Sequence, residues 1–215
     1  ANTDIFYIAN PTTPTGLYHT NEEIAAMLEH YPKALFVIDE AYIEFTTNPD
    51  GVLSLLDTYP SRIVIVRTMS KAYGLAGLRI GYIIANPKII APIKSSIIPY
   101  AVNSLSQVAA CTILDEQEEV RRRVEQICQQ REYMAQELRN LGYRVEVGPT
   151  NFLLIFVPNA LKAVSFFRRH NVQVRYFSSP TKAYFLGECV RISVGDEASN
   201  LEMIKAAEKL LKFGV

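Results

Sequence analysis

An α/β fold is predicted by three features of the sequence. Short, continuous β-branched runs punctuate the first hundred residues, a helix-capping signature separates the first two of them, and the pattern changes beyond residue 116. The runs at residues 5–9, 34–38, 63–66 and 81–85 are of the kind buried on both faces of a sheet. Between the first two, Thr20 followed by Glu23 forms a capping box that opens a helix to about His30. Strand–helix–strand alternation of this kind predicts a mostly parallel sheet with helices packed on it. From residue 117 to 141, Val120, Val124, Ile127, Arg131, Met134, Leu138 and Leu141 recur in steps of four and three, which predicts one long amphipathic helix closed by Gly142. Arg131 falls on the apolar stripe, where its stem packs while its head is expected to reach water. Strands are expected at 144–147, 152–157, 172–176 and 189–194, and helices at 161–170 and 199–213. The expected division is therefore residues 1–116, part of a large α/β domain, and residues 117–215, a connecting helix with a smaller α+β domain. The chain opens directly on a strand, and a sheet built from its first hundred residues alone would leave an edge uncovered. Further chain is therefore expected before it.

Composition narrows the function. Lys+Arg and Asp+Glu are equal at 22 each, so no net field draws the chain to nucleic acid or acidic membrane. Cys111, Cys128 and Cys189 are odd in number and lack metal-ligand spacing, which favours a reduced, cytoplasmic setting without a metal. No apolar run approaches the roughly 20 residues that a membrane span requires. Small charged substrates remain open, since they need only local charge.

Chemistry concentrates in three stretches. Residues 68–82 follow a buried strand and place Ser70, Lys71 and Arg79 around a glycine-containing loop. Ligands of open α/β sheets bind at the carboxyl ends of the strands, where Lys71 falls. A hydroxyl and a guanidinium flanking that loop suit a phosphate monoester. The competing explanation is a solvated loop lysine with a surface arginine. In residues 36–45, Asp39 ends an apolar run and lies at a strand's carboxyl end, in the same layer as Lys71. A carboxylate there needs a cation or donors, and a pyridinium nitrogen is one such partner. The competing explanation, a carboxylate capping the following turn, accounts for most strand-end aspartates. Tyr42, three residues on, offers a phenol donor. Residues 10–16, Asn-Pro-Thr-Thr-Pro-Thr-Gly, make a rigid turn, which by itself needs no functional explanation.

Taken together, in this order and spacing, the three stretches resemble the motifs of the fold-type I, class II pyridoxal-phosphate-dependent aminotransferases. Within these, the likeness is greatest to the histidinol-phosphate aminotransferase family. The matching runs are NPxxPTG at 10–16, DEAYIEF at 39–45 and RTxSKAYGLAGLRIGY at 67–82, with weaker likeness at 150–152 and 190–195. The resemblance implies pyridoxal 5'-phosphate as cofactor, with Lys71 as the catalytic lysine that condenses with its aldehyde and then shuttles a proton between the substrate's Cα and the cofactor's C4′. It further implies that Asp39 keeps the ring nitrogen protonated, Tyr42 hydrogen-bonds the ring's O3′, and Ser70 and Arg79 bind the phosphate. Arg191 would take the substrate carboxylate or an equivalent anion, and Arg175 the substrate phosphate.

One residue departs from the pattern. The family has Asn where this chain has Thr13, and that amide donates to O3′, so a modest change in cofactor affinity is expected here. Full-length relatives also carry a preceding segment with a phosphate-binding turn, an aromatic residue stacked on the ring and a tyrosine that reaches the partner's site. The chain alone is therefore expected to bind cofactor weakly, and the full-length protein to be a homodimer. The implied reaction exchanges an amino group between histidinol phosphate and 2-oxoglutarate/glutamate, in histidine biosynthesis. The alternatives are an aromatic amino acid aminotransferase, a decarboxylase of the threonine-phosphate type on the same fold, and a non-catalytic fragment.

Overall fold

The computed structural model describes residues 3–177 and 187–213. The chain divides into two compact units, one of residues 1–12 and 17–124, the other of residues 13–16 and 125–215.

The first unit is built on a four-stranded sheet of order β1-β2-β3-β4, comprising β1 (Ile5–Ala9), β2 (Leu35–Asp39), β3 (Ile63–Thr68) and β4 (Gly81–Ala85). The first three strands run parallel, with Ala9 beside Asp39 and Asp39 beside Val66, whereas β4 returns antiparallel to β3. Helix α1 (Asn21–His30) starts at Thr20, whose side chain accepts from the Glu23 amide while Glu23 reaches back to the Thr20 amide. Its Ile24 and Leu28 are fully buried with Phe36, Ile38, Val52, Ile63 and Ile65, and each such side chain contributes about 1.5–3 kcal/mol when removed from water. The one-turn helix α2 (Leu55–Thr58) leads into β3.

Burial on both faces, expected of all four strands, holds only for the start of β3. In β1, Ile5 and Tyr7 are 58% and 64% exposed, and the first half of β4 is open as well. The reason is that α1 covers the Phe36/Ile38 face and leaves the opposite face of β1 bare, while β4 is an antiparallel edge. Two further helices follow, outside the expected elements, α3 (Pro87–Ser96) and α4 (Ser104–Asp115). Each is capped by an asparagine, Asn86 or Asn103, whose side chain accepts a backbone amide of the first turn.

Helix α5 (Gln117–Asn140) is the long amphipathic helix, and the boundary between the units falls within it, at residues 124 and 125. It ends as expected at Gly142, with φ +97. The Gly142 amide bonds the Arg139 carbonyl and the Tyr143 amide the Leu138 carbonyl, the paired bonds of a Schellman cap. Arg131 corrects its expectation. It is 8% exposed, and its guanidinium donates to the Thr150 carbonyl at 2.8 Å and to Glu132 at 2.9 Å instead of reaching water. A buried cation must be hydrogen-bonded, and on this stripe the following loop supplies the acceptor.

The second unit contains an antiparallel sheet of order β5-β6-β8-β7, formed by β5 (Val145–Val147), β6 (Phe152–Phe156), β7 (Arg175–Phe177) and β8 (Cys189–Ser193). Helices α6 (Ala160–Arg169) and α7 (Glu197–Lys212) belong to the same unit. The core joins Met134 and Leu138 of α5 with Leu153, Ile155, Phe167, Val190 and Leu210. The turn 13–16 belongs here too. A Cβ added to Gly148 would lie 2.1 Å from the Gly16 carbonyl oxygen, and one added to Gly16 would lie 2.8 Å from Gly148 Cα. Two glycines are thus required for this backbone approach.

Candidate active site

In the first unit the residues singled out from sequence gather at the carboxyl ends of β2 and β3. Asp39 is the last residue of β2, and the turn after it is closed when the Ala41 amide donates to Asp39 Oδ1 at 3.1 Å. The chain then enters a short 3-10 turn, Ile43–Phe45, and Tyr42 just before it is 6% exposed. Lys71, three residues past the end of β3, holds its Nζ 5.3 Å from the centre of the Tyr42 ring. A cation at that distance from a tyrosine face is electrostatically favoured. The amine is thereby placed beside the phenol that follows Asp39.

Ser70 and Arg79 are brought together by the β3–β4 hairpin, in which Thr68 pairs with Gly81. Thr68 Oγ1 accepts from the Ser70 amide at 3.1 Å and donates to Ser70 Oγ at 3.0 Å, and the Met69 amide donates to the Ile80 carbonyl. Arg79 has φ +51, the left-handed conformation, and its Nη1 donates to the Ala76 carbonyl. That conformation costs an arginine about 1 kcal/mol, a strain of the sort found at ligand-binding turns.

Two features of this region had no signal in the sequence. The first is the Tyr7 phenol, which donates to Asp39 Oδ2 at 2.5 Å. That bond to the carboxylate, helped by partial burial and the nearby negative charge, pushes the Tyr7 phenol up to about 12. Strand parity puts Tyr7 and Asp39 on one face of the sheet, since Tyr7 pairs with Val37 and Ala9 with Asp39. Only the register reveals that they meet. The second is Glu40, fully buried behind Asp39. It accepts from the Val52 amide at 2.8 Å and from Arg67 at 2.8 Å, and Arg67 also donates to the Asp50 carbonyl. Burial pushes the Glu40 carboxyl above the usual carboxylate range, and the Val52 amide and the Arg67 guanidinium act against that rise. Near this pair, burial pushes the Glu44 carboxyl up to about 7.

In the second unit, Arg175 and Arg191 are direct cross-strand partners in the antiparallel β7–β8 pair. Their guanidinium carbons each lie 5.4 Å from the centre of the Phe177 ring, and that of Arg191 also lies 4.9 Å from the Phe152 ring. Arg191 Nη1 donates to Thr13 Oγ1 at 2.9 Å, which leaves the Thr13 hydroxyl proton available to donate. Like charges directly opposite on a sheet repel, and an anion placed between them removes that cost. The unit thus carries an arrangement suited to an anionic group.

Comparisons with known proteins place the chain in a family. The model of the aminotransferase class I and II family matches residues 1–207. A histidinol-phosphate aminotransferase from Ruminiclostridium cellulolyticum is 35% identical over 197 residues, covering 91% of this chain and 53% of that protein. Among solved structures, the histidinol-phosphate aminotransferase from Clostridium acetobutylicum superposes with a TM-score of 0.86 at 26% identity, over 99% of this chain and 65% of that one. The L-threonine-O-3-phosphate decarboxylase from Porphyromonas gingivalis gives 0.82 at 30% identity, over 99% and 66%. The chain therefore spans little more than half the length of the curated relative. Among the described residues no helix is long and apolar enough to cross a membrane, and no group of three or more His, Cys, Asp or Glu side chains is placed to hold a metal ion.

Proposed function

Because the chain belongs to the aminotransferase class I and II family, we propose that it carries the catalytic lysine and much of the cofactor-binding set of a pyridoxal-phosphate-dependent aminotransferase acting on histidinol phosphate, with 2-oxoglutarate/glutamate as the exchange partner. The observation that carries this reading is the cluster at the ends of β2 and β3, where the Lys71 amine lies on the Tyr42 ring and Tyr42 follows Asp39 by three residues.

The donor set fits the cofactor group by group. Lys71 supplies an amine for its aldehyde, Asp39 an acid for its ring nitrogen, and Tyr42 a phenol for its ring oxygen. Ser70 and Arg79 supply a hydroxyl and a guanidinium for its phosphate. When bound, pyridoxal phosphate acts as an electron sink that loosens bonds at the substrate's amino-bearing carbon. Lys71 Nζ holds and moves the proton at that carbon. Asp39 keeps negative charge opposite the ring nitrogen. Thr13, in the place of the family's Asn, has a hydroxyl proton to offer the ring oxygen. Arg191 and Arg175 bind the anionic groups of the amino donor, with the Phe152 and Phe177 rings within cation–π range of the guanidinium groups. A homodimer is the expected assembly, supported by the exposed apolar side chains Ile97, Ile98, Tyr100, Leu105 and Val108; sedimentation of the full-length protein tests it.

The test is direct. The protein is mixed with pyridoxal phosphate, reduced with borohydride and digested. The label is expected on the peptide containing Lys71, and Lys71→Ala is expected to abolish both label and turnover. A label elsewhere overturns the reading. A second reading, decarboxylation of a phosphorylated amino acid, is favoured by the 30% identity to the P. gingivalis decarboxylase. Release of carbon dioxide from threonine phosphate without consumption of 2-oxoglutarate would select it.

A further inference from the structure

We propose that Tyr7 is a positioning residue for Asp39, fixing the rotation of the carboxylate that meets the cofactor's ring nitrogen, an assignment that rests on the cofactor reading above. A terminal carboxylate rotates easily about its last bond, and an aspartate at a strand end has few neighbours to stop it. Here each oxygen is held by a different donor. The Ala41 amide takes Oδ1 at 3.1 Å from within the following turn, and the Tyr7 phenol takes Oδ2 at 2.5 Å from the neighbouring strand. An ionised carboxylate has about four acceptor positions, so two donors fix its plane and still leave room for a ring N–H.

The reach follows from the register. Tyr7 stands beside Val37, two residues before Asp39 on the same face of the parallel pair, and a diagonal neighbour at that separation is within range of an aromatic side chain. Phenylalanine would pack equally well on this open face, where the ring is 64% exposed, so among the described residues it is the hydroxyl that has a specific partner. With its ionisation pushed up to about 12, the phenol remains a donor at any pH at which an aminotransferase would be assayed.

Tyr7→Phe tests the assignment, because it removes one oxygen from an exposed ring. The bond itself is read without cofactor, as the Cζ resonance of ¹³C-labelled tyrosine. The signal missing in Tyr7→Phe is expected to shift when Asp39 is replaced by alanine. With cofactor, Lys71 is expected to be labelled after borohydride reduction in both wild type and Tyr7→Phe. The variant is expected to bind pyridoxal phosphate about tenfold more weakly, a typical consequence of losing a hydrogen bond to a charged group. The pH midpoint of its visible band is expected to shift, and kcat to fall with little change in KM for the amino donor. If Lys71 is labelled and Tyr7→Phe matches wild type in affinity and midpoint, Tyr7 has no positioning role and the cofactor reading stands. If the Tyr7 resonance ignores Asp39→Ala, the bond is absent and the assignment falls. If Lys71 is not labelled, the cofactor reading fails and Tyr7's role goes with it.

Discussion

Arginine is used in opposite ways in the two units. In the first, Arg67 is paired with a carboxylate. Glu40, fully buried, takes its guanidinium, the Asp50 carbonyl takes another donor, and the ends of β2 and β3 are fastened together behind Asp39. In the second, Arg175 and Arg191 face each other across a strand pair and share one phenylalanine ring. The first arrangement is a closed internal pair with a structural task. The second sets like charges side by side, which costs stability unless an anion joins them. The same side chain thus serves as a fastening in the first unit and, under the proposed function, as a group for binding an anion in the second.

Substitutions that separate stability from binding sharpen this contrast. The largest effect is expected from Glu40→Ala, which leaves the Arg67 charge largely buried without its carboxylate. The expected cost is about 3–5 kcal/mol, read as a fall in melting temperature on the order of 10 °C. Arg175→Gln should do the reverse, with a melting temperature unchanged or slightly higher. Affinity for a phosphorylated amino donor is expected to drop about tenfold while that for a phosphate-free donor holds, as steady-state kinetics with both substrates would show. Equal losses for the two donors would remove Arg175 from phosphate recognition.

Glu44 provides a pH-dependent counterpart. Burial pushes its carboxyl from 4.5 up to about 7, and its Oε2 is buried with no hydrogen-bond partner among the described residues. The Arg67, Glu40 and Tyr73 side chains are the ionisable groups acting with it. Between pH 4.5 and 7 the native state therefore binds a proton that the unfolded state has released, so its stabilising effect is complete below 4.5 and is lost as pH rises through 7. Glu44→Gln should leave melting unchanged near pH 4.5 and raise stability by about 2–3 kcal/mol at pH 8, visible in thermal melts across that range. The smallest effect is expected from Thr13→Val. It deletes the acceptor that Arg191 Nη1 uses, so about 1 kcal/mol of substrate binding is lost, raising KM a few-fold, and Thr13→Ser should restore it.

Much of the scaffold was legible in the sequence because its signals are local. Thr20 and Glu23 are three residues apart, Gly142 follows directly on a periodic stripe, and the strand ends at Asp39 and Thr68 lie where apolar runs stop. Helices α3 and α4 were missed for reasons also visible locally. Pro92 sits inside α3 and reads as a breaker, although Asn86 and Pro87 form a sound helix start. In α4, Leu105 and Val108 are exposed, so its apolar residues do not mark a buried stripe. In the candidate site, Lys71, Asp39 and Tyr42 were legible because they occupy motifs of fixed spacing. Tyr7, the Arg175–Arg191 pairing and the internal acceptor of Arg131 were not. Each depends on which residues stand side by side across strands or loops, and that information is absent from any single stretch of chain.

The close approach of Gly16 and Gly148 has a consequence for selectivity. A methyl group at either residue meets backbone, which cannot rotate aside, so the turn would have to lift. Thr13 would rise with it, and the hydroxyl that Arg191 grips would shift by a comparable distance. Tolerance to mutation should therefore be low at two residues that carry no functional group.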